Sequence, residues 1–273
     1  MTEQLATAGL DLVHAFDAHA IGERARADAI LEEQDARTPA EPTTTTNRDG
    51  TTRMVLAKPS RPLAKWTRLA DGPRLGLLVG NTRALWLPFV AARHSLPHTD
   101  PLEAYVERTI DEVVTSSHTE AVRTHASDVA TANHASAATG TTVLYSHQRY
   151  DAMFLPFQHL AVATGFAAMN AAGLAIHPTY GPWFALRAVI TVEPSAELAI
   201  PALLAPIAKP CTCTGACEAA LVKARGDLRD WRAWLAVRDA CTLRDHRYSD
   251  EQIRFHYASA WPKAARRDDG SGQ

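Results

Sequence analysis

The sequence has 273 residues, enough for one large domain or two small ones, each with a buried core. Hydrophobic residues make up 46% and charged residues 21%, the balance of a soluble globular protein. The net charge of -2 gives no basic excess and argues against nucleic acid as a partner. The chain opens with no signal-peptide pattern and has no apolar run of membrane-spanning length. We therefore expect a cytoplasmic protein with no membrane contact.

The first third of the chain mixes helical and strand patterns. Residues 3–33 are Ala-rich with apolar residues at helical spacing, which predicts one or two amphipathic helices. Residues 36–52 contain Pro, Gly and a Thr run, which predict a loop, a linker or a hairpin connection. Residues 53–70 contain two prolines, Pro59 and Pro62, and the pattern allows one short strand there. The apolar run at 74–80 predicts a buried strand, and residues 82–93 predict a helix.

The rest of the chain continues this interleaving. Asp100 and Pro101 resemble the N-cap and first residue of a helix that reaches about Ser116. Four further elements are expected: a strand after Gly140, a mostly buried helix over 151–172, a central strand over 183–193 and a helix over 218–240. Ser249 caps a short helix over 249–260, and residues 264–273 form a flexible tail.

Neither a dinucleotide fingerprint nor a phosphate-binding loop accompanies these elements, so nucleotide-dependent enzyme classes have no support. Helices and strands alternate without the pattern of a parallel sheet. We expect an α+β fold with an antiparallel-rich sheet flanked by helices, formed by a single domain over residues 1–273.

Three of the four cysteines fall within seven residues of one another. In a cytoplasmic protein such a cluster favours metal binding or redox chemistry over a disulfide framework. Thiolates that converge on one point can hold zinc or an iron-sulfur cluster, whereas a pair of thiols can exchange electrons. A loop with incidental thiols is the third interpretation. The candidate ligands are Cys211, Cys213, Cys217 and Cys241.

The segment GLAIHPTYGPWFALRAVITVEP at 173–194 is unusual in composition. It packs His177-Pro178, Tyr180-Gly181 and Trp183 between a predicted helix and a predicted strand. Arg187 interrupts an otherwise apolar strand, where a charge is costly unless it is paired or meets a polar ligand. The segment is therefore the first candidate for a binding site.

This segment resembles the core of the MMACHC family, which carries Gly-x-x-Ile-His-Pro and then an aromatic-Gly-x-Trp-Phe-Ala-x-Arg run. Two downstream stretches resemble the same family. One is the pair of tryptophans followed by Arg238-Asp239-Ala240, and the other is the motif RYSDEQ at 247–252. The resemblance is most convincing from about 155 to 257. The three motifs occur in the family's order, so chance is a poor explanation.

The resemblance implies a flavin reductase or nitroreductase-like fold that binds cobalamin in a large cavity. It implies an enzyme, an oxidoreductase that removes the upper axial ligand, either reductively with reduced flavin for cyanide or by glutathione attack for alkyl groups. A cobalamin-accepting protein would be its partner, and the chain would be a monomer or a homodimer. By this resemblance, the catalytic residues are Arg187 and Arg238. The residues expected to bind the cofactor are His177, Tyr180, Gly181, Trp183, Trp234 and Tyr248.

A second resemblance keeps an alternative open. The same segment is similar to epoxyqueuosine reductases and reductive dehalogenases, in which a cluster-binding Cys run follows the strand. The run Cys-x-Cys-x3-Cys at 211–217 is similar to a shortened form of that pattern. The alternative is a cobalamin- or metal-dependent reductase with a Cys-bound centre. A passive cobalamin carrier is the non-enzymatic possibility.

Overall fold

The fold is given by a computed structural model, which describes most of the chain apart from several connecting segments and the C-terminal end. The described residues are 1–37, 43–46, 52–55, 63, 66, 69, 72–125, 141–150, 153–193, 200–202, 207, 215–227 and 229–258. The segment at 194–210 lies largely outside these residues, and the predicted tail at 264–273 lies wholly outside them.

The helices are α1 (Thr2–Thr7), α2 (Ala18–Arg37), α3 (Trp86–Ala92), α4 (Pro101–His125), α5 (Phe157–Ala163), α6 (Ala216–Ala224), α7 (Trp231–Asp239) and α8 (Asp250–Ile253). The strands are β1 (Leu12–Asp17), β2 (Thr43–Thr46), β3 (Thr52–Val55), β4 (Leu75–Asn81), β5 (Thr142–Tyr145), β6 (Arg149–Tyr150), β7 (Met153–Phe154), β8 (Ala168–Met169), β9 (Ala175–Ile176) and β10 (Ala185–Val192). Short 3₁₀ turns flank α3, and a π-helical turn, Arg254–Ala258, extends α8.

A four-stranded antiparallel sheet with the strand order β1-β4-β10-β5 lies at the centre of the fold. The two central strands are the most apolar, because both of their faces are covered. Separate antiparallel pairs are formed by β2 with β3, β6 with β7 and β8 with β9. The α+β class with an antiparallel sheet flanked by helices is therefore confirmed.

A bulge in β10 places Arg187 outside the regular ladder. Leu186 pairs with Gly80 and Ala188 pairs with Val79, so Arg187 is the extra residue on the bulged strand. Bulges redirect a side chain and occur often beside functional sites. Here the bulge puts Leu186 and Val189 on the same face of the sheet although three positions separate them.

Each face of the sheet has its own hydrophobic core. On one face Leu78 and Val189 pack with residues of α2 and α5, among them Ile21 and Leu160. On the other face a second core brings together Leu5 of α1, Phe89 of α3, Ile110 of α4, Val79 and Ile190. Burial of these aliphatic and aromatic side chains is the main force that holds the helices against the sheet.

The C-terminal helices close the end of the sheet where β10 begins. The Ser249 hydroxyl accepts a hydrogen bond from the Gln252 backbone N–H at 3.2 Å, as the capping pattern predicts. Trp183, Tyr248 and Ile253 then form a small buried cluster between α8 and the strand. This cluster, with α7 beside it, positions the side chains of the candidate site.

The strands predicted at 74–80, after Gly140 and at 183–193 are confirmed, as is the helix predicted at 82–93. Three predictions need correction. Residues 3–33 also contain β1, because its apolar side chains pair with β4. The helix predicted over 151–172 is only α5, since Pro156 precedes it and a turn at Thr164 and Gly165 ends it. The helix predicted over 218–240 is two helices, α6 and α7, with a break that includes Gly226.

The helix that starts at Pro101 is longer than predicted and continues to His125. In the segment predicted as a loop or hairpin connection, α2 extends to Arg37 and β2 pairs with β3. Within the described residues, no helix has both the length and the apolar character needed to cross a membrane.

Candidate functional site

A cavity of about 350 Å³ opens between α5, the β8–β9 hairpin and the start of β10. Most of its wall is apolar, and the polar groups that reach it are few. The lining residues are Phe157, Gln158, Leu174, Ala175, Pro182, Phe184, Ala185, Leu186, Arg238 and Tyr257. A second cavity of about 450 Å³ shares Phe157 and Gln158 with it, so the two lie side by side. An apolar cavity with a few convergent polar groups is typical of a small-molecule site.

Arg238 connects this cavity with the buried aromatic cluster. Its guanidinium lies 4.7 Å from the centre of the Trp183 ring and 5.3 Å from that of Tyr248. It donates hydrogen bonds to the Tyr257 hydroxyl at 3.0 Å and to the backbone carbonyl of Pro182. Burial lowers the pKa of Arg238, but Tyr257 and Tyr248 outweigh it and hold the pKa above its usual value. The side chain is therefore a fixed cation at the cavity wall.

Arg187 lies at the bulge, partly buried, and has no carboxylate partner among the described residues. Its Nε donates to Asn81 Oδ1 at 2.7 Å, the one hydrogen bond of this side chain in the described part of the chain. Glu193 lies 3.9 Å from Arg74 and Asp239 is paired with Arg247, so neither of these carboxylates is the partner of Arg187. Burial lowers the pKa of Arg187, an effect that Tyr248 and Glu103 partly offset.

Tyr248 lies between the two arginines and is 3% exposed. Its hydroxyl forms no hydrogen bond of ordinary geometry with a described residue. Burial raises the pKa of Tyr248, although the charges of Arg238 and Arg187 pull it back. Trp183 is completely buried beside it, with ring centres 5.6 Å apart, and its indole N–H also lacks a described hydrogen-bond partner.

Two further residues on the same side of α8 were not singled out by sequence. Gln252 is completely buried, and neither atom of its carboxamide has a hydrogen-bond partner in the described structure. His256 follows one turn later, with a buried and unpartnered Nε2. Burial, together with Arg187 and Arg238, lowers the pKa of His256 to about 3, so the ring is neutral near pH 7. We call Tyr248, Gln252 and His256 the α8 polar face.

His177 lines neither cavity and lies in an aromatic cluster at the turn between β9 and β10, where it contacts the cavity residue Phe184. Its Nδ1 accepts hydrogen bonds from the backbone N–H groups of Thr179 at 3.1 Å and Tyr180 at 3.3 Å. The ring centre is 4.7 Å from that of Phe166 and from that of Tyr180. Burial, with smaller effects from His14 and His246, lowers its pKa to about 4.

Gly181 closes the same turn with a φ of 57°, and a Cβ there would collide with the backbone carbonyl of Leu243. Its backbone N–H and C=O bond those of His177. The turn geometry thus accounts for glycine at this position. The predicted ligand contacts of His177, Tyr180 and Gly181 stay predictions.

Trp234 and the described cysteines belong to a separate cluster between α6 and α7. Trp234 packs there beside Cys217, and its buried indole N–H has no partner in the part of the chain that the structure describes. The Asn170 carboxamide lies 3.5 Å from Cys217 Sγ, and both Cys217 and Cys241 are buried. Within the described residues no three His, Cys, Asp or Glu side chains could hold a metal ion. Cys211 and Cys213 lie outside the described residues, so the four-thiolate site stays a prediction.

Comparison with known proteins identifies the family. A sequence model of the methylmalonic aciduria and homocystinuria type C family, MMACHC, matches residues 82–266. This span contains both cavities, both buried arginines and the α8 polar face.

The chain belongs to the MMACHC family.

Two curated relatives carry the name "Cyanocobalamin reductase / alkylcobalamin dealkylase". The mouse protein is 31% identical over 193 residues, which is 66% of this chain and 63% of the relative. The bovine protein is 31% identical over 203 residues, 67% of this chain and 64% of the relative. This chain therefore matches less than two thirds of the length of these relatives. A solved C. elegans B12-trafficking protein, CblC, is 15% identical, with a TM-score of 0.45 over 96% of this chain and 91% of its own.

The resemblance to the MMACHC family inferred from sequence is confirmed by this match. Of the predicted site residues, the structure brings together Arg187, Arg238, Trp183 and Tyr248. It places His177, Tyr180 and Gly181 in the turn, and Trp234 in the α6–α7 cluster. Sequence reasoning missed Gln252, although it stands in the RYSDEQ motif, because that motif also predicts a capped helix.

Proposed function

We propose that this chain binds a cobalamin, removes its upper axial ligand with a thiol such as glutathione, and passes the cobalamin to an accepting protein. Membership of the MMACHC family and the names of the mammalian relatives support the cobalamin part. The observation that carries the thiol part is the pair of guanidinium groups, Arg187 and Arg238, neither of which forms a salt bridge with a carboxylate among the described residues.

The cobalamin is the substrate in this proposal, and the paired cavities are the site offered for it. Phe157, Leu174, Phe184 and Leu186 give an apolar wall suited to the corrin, while Gln158 at the boundary offers an amide to its polar side chains. A predominantly apolar site would favour the form in which the lower nucleotide base is off the cobalt. That form is the easier one to reduce, and the cobalamin itself supplies the difficult chemistry.

The arginines would act on the thiol. A nearby guanidinium favours the thiolate and so lowers the thiol pKa. The thiolate attacks the alkyl carbon, a sulfur–carbon bond forms, and the cobalt–carbon bond breaks. Its electron pair stays on cobalt, which passes from Co(III) to Co(I), while the thiol proton goes to solvent. The products are a thioether and the reduced cobalamin.

Two finer assignments belong to the same proposal. The fold would be a flavin reductase or nitroreductase-like domain formed by the whole chain, cytoplasmic, as a monomer or homodimer. Reductive removal of cyanide with reduced flavin is the family's other reaction. The two guanidinium groups favour the thiol-dependent reaction, because they stabilise the thiolate that attacks the alkyl carbon.

The alternative, a reductase with a Cys-bound zinc or iron-sulfur centre, rests on Cys211 and Cys213, which lie outside the described residues. In the part of the chain that is described, Cys217 and Cys241 are buried in the α6–α7 region, apart from the residues that line the cavities. The arginine pair therefore supports dealkylation better than the alternative.

A spectroscopic titration tests the proposal. Purified protein is mixed anaerobically with hydroxo-, cyano- and methylcobalamin, and visible spectra are recorded with and without glutathione. We expect a shift to the base-off spectrum on binding, followed by loss of the methyl-cobalt bands only when glutathione is present. Cobalamin binding without thiol-dependent loss of the methyl-cobalt bands would indicate a passive cobalamin carrier. No spectral change with any of the three cobalamins would refute the proposal.

A further inference from the structure

The α8 polar face carries polar atoms that the described protein does not satisfy. Gln252 lies in α8 and His256 in the π-helical turn that follows it, while Tyr248 precedes the Ser249 N-cap and has its ring centre 5.7 Å from that of His256. Both carboxamide atoms of Gln252 and the Nε2 of His256 are buried without a hydrogen-bond partner among the described residues. Buried polar groups in native proteins are nearly always bonded, so several unbonded atoms on one helix face call for an explanation.

Stability does not explain the glutamine. Gln252 is 0% exposed, and a methionine of similar volume would fill the same space without leaving a donor and an acceptor unpaired. A matched glutamine shows the usual arrangement. Gln148 donates its carboxamide N–H to Glu107 Oε1 at 2.5 Å. We therefore interpret Gln252 as a functional residue, since its unpaired carboxamide lowers the stability of the fold.

The surroundings define what would satisfy the α8 polar face. The charges of Arg187 and Arg238 both act on His256, and the Glu103 carboxylate acts on Arg187 without forming a salt bridge with it. Asp239 and Asp250 pair with Arg247, and Glu251 accepts from the Trp86 indole. The guanidinium groups call for an anion, whereas the Gln252 carbonyl and the neutral His256 ring can accept hydrogen bonds from N–H groups.

A ligand that meets both demands carries a carboxylate beside N–H donors, as an amino acid or a peptide does. A simple carboxylate satisfies only the arginines, and a neutral thiol satisfies neither demand. We propose that Gln252 and His256 are specificity-determining residues that bind the amide or amine N–H groups of a peptide-like thiol, while Arg187 holds its carboxylate. This inference rests on the proposed thiol-dependent function.

Direct binding to the cobalamin-free protein tests the inference. Unfolding midpoints are recorded for the wild type and Gln252→Met with increasing S-methylglutathione, which cannot react. Because the substitution removes unpaired buried atoms, we expect a higher midpoint without ligand. We also expect about a tenfold loss of S-methylglutathione affinity, the effect of losing a good hydrogen bond. A stability gain joined to a binding loss is not the signature of a structural residue. His256→Phe provides a second variant.

Gln148→Met is the matched control. It removes a satisfied carboxamide, so it should lower the unfolding midpoint and leave S-methylglutathione binding unchanged. Thiol selectivity gives the second measurement, from rates of methylcobalamin dealkylation with glutathione and with 3-mercaptopropionate, which has a carboxylate but no N–H. The wild type should favour glutathione, and Gln252→Met should lose that preference by slowing only the glutathione reaction.

Three results would overturn the inference: unchanged S-methylglutathione affinity in both variants, equal slowing with both thiols, or a loss of cobalamin affinity in place of thiol affinity. The last result would assign the α8 polar face to the corrin amides. The outcome for the proposed function is separate. If the wild type binds no cobalamin but the variants lose S-methylglutathione binding, the thiol site stands and the cobalamin proposal fails.

Discussion

Arg187 shows how a single residue can be placed by one irregularity of the backbone. The bulge in β10 takes its side chain out of the apolar ladder and directs it toward Asn81, near Tyr248 and His256. A buried guanidinium with one neutral hydrogen-bond partner costs free energy relative to an apolar residue. That cost is explained if the cation acts on a substrate.

We predict that Arg187→Gln slows glutathione-dependent dealkylation of methylcobalamin by about tenfold or more at neutral pH, because the guanidinium no longer favours the thiolate. The pH profile gives the sharper test. Without the cation, the rise in rate that follows thiol ionisation should move to higher pH. Arg187→Lys, which keeps the charge, should restore much of the lost rate.

Arg149→Gln is the control for this prediction, because Arg149 is exposed and lies on Phe154, outside both cavities. Its rate and pH profile should match the wild type. If Arg187→Gln also kept the wild-type profile, Arg187 would have no part in activating the thiol.

At this scale the sequence predicts the charged and aromatic members of the site but not their polar neighbours. Arg187, Arg238 and Tyr248 stand in family motifs and interrupt apolar patterns, so sequence alone identifies them. Gln252 and His256 acquire meaning only from burial without partners. No local pattern predicts such burial, since it depends on how α8 packs against β10.

The turn from His177 to Gly181 connects β9 with β10, whose first residues line the cavity. Two backbone hydrogen bonds join its ends, at 2.9 Å each, and the His177 ring accepts two more from inside it. Gly181 needs both its left-handed φ and the absence of a side chain, since Leu243 packs against it.

Gly181→Ala should therefore lower the free energy of unfolding by about 3 kcal/mol, a sum of backbone strain and collision with Leu243. Gly173→Ala is the control. It has a comparable φ of 74°, but a Cβ there meets nothing within 4 Å. It should cost about 1 kcal/mol, the strain alone. Denaturant unfolding measures both, and equal losses would show that the contact with Leu243 is unimportant.

Among the elements, those with a clear period were predicted correctly and those that depend on tertiary partners were not. The apolar runs that form β4 and β10 can be recognised as strands from the sequence alone. In contrast, β1 follows α1 in an Ala-rich stretch with helical spacing, and only pairing with β4 makes it a strand. The break between α6 and α7 includes Gly226, a weak signal inside an otherwise helical pattern.

The molecule as a whole carries two partly buried histidines that stay neutral when folded. The pKa of His177 is lowered to about 4 and that of His256 to about 3, against 6.5 for the unfolded chain. Between the folded and unfolded pKa values, the unfolded state binds more protons than the folded state. The stabilisation that comes from keeping these histidines neutral is therefore fully present above about pH 6.5 and is lost as the pH falls toward 4.

Acidification from pH 7 to pH 5 should thus destabilise the protein through His177 by about 1–2 kcal/mol. In His177→Asn the amide oxygen can replace the Nδ1 acceptor, but nothing titrates. Its stability should fall less steeply over the same range, as measured by denaturant unfolding at each pH. Parallel curves for the two proteins would show that His177 does not stay neutral in the folded state.

At the level of the whole chain, ordered motifs allowed the sequence to predict the family and the α+β class, and the match over residues 82–266 confirms the family. The arrangement of the site was less predictable. Residues from β4, β10, α7 and α8 meet at one end of the sheet, and long-range packing of this kind has no local signature.

The fate of the alkyl group tests the central claim most directly. Methylcobalamin with a trideuterated methyl group is incubated anaerobically with the protein and glutathione, and the products are analysed by mass spectrometry. We expect one equivalent of S-(trideuteromethyl)glutathione for each cobalamin converted, and none without the protein. Label that stays on the bound cobalamin, or leaves it without reaching the glutathione sulfur, would contradict the central claim.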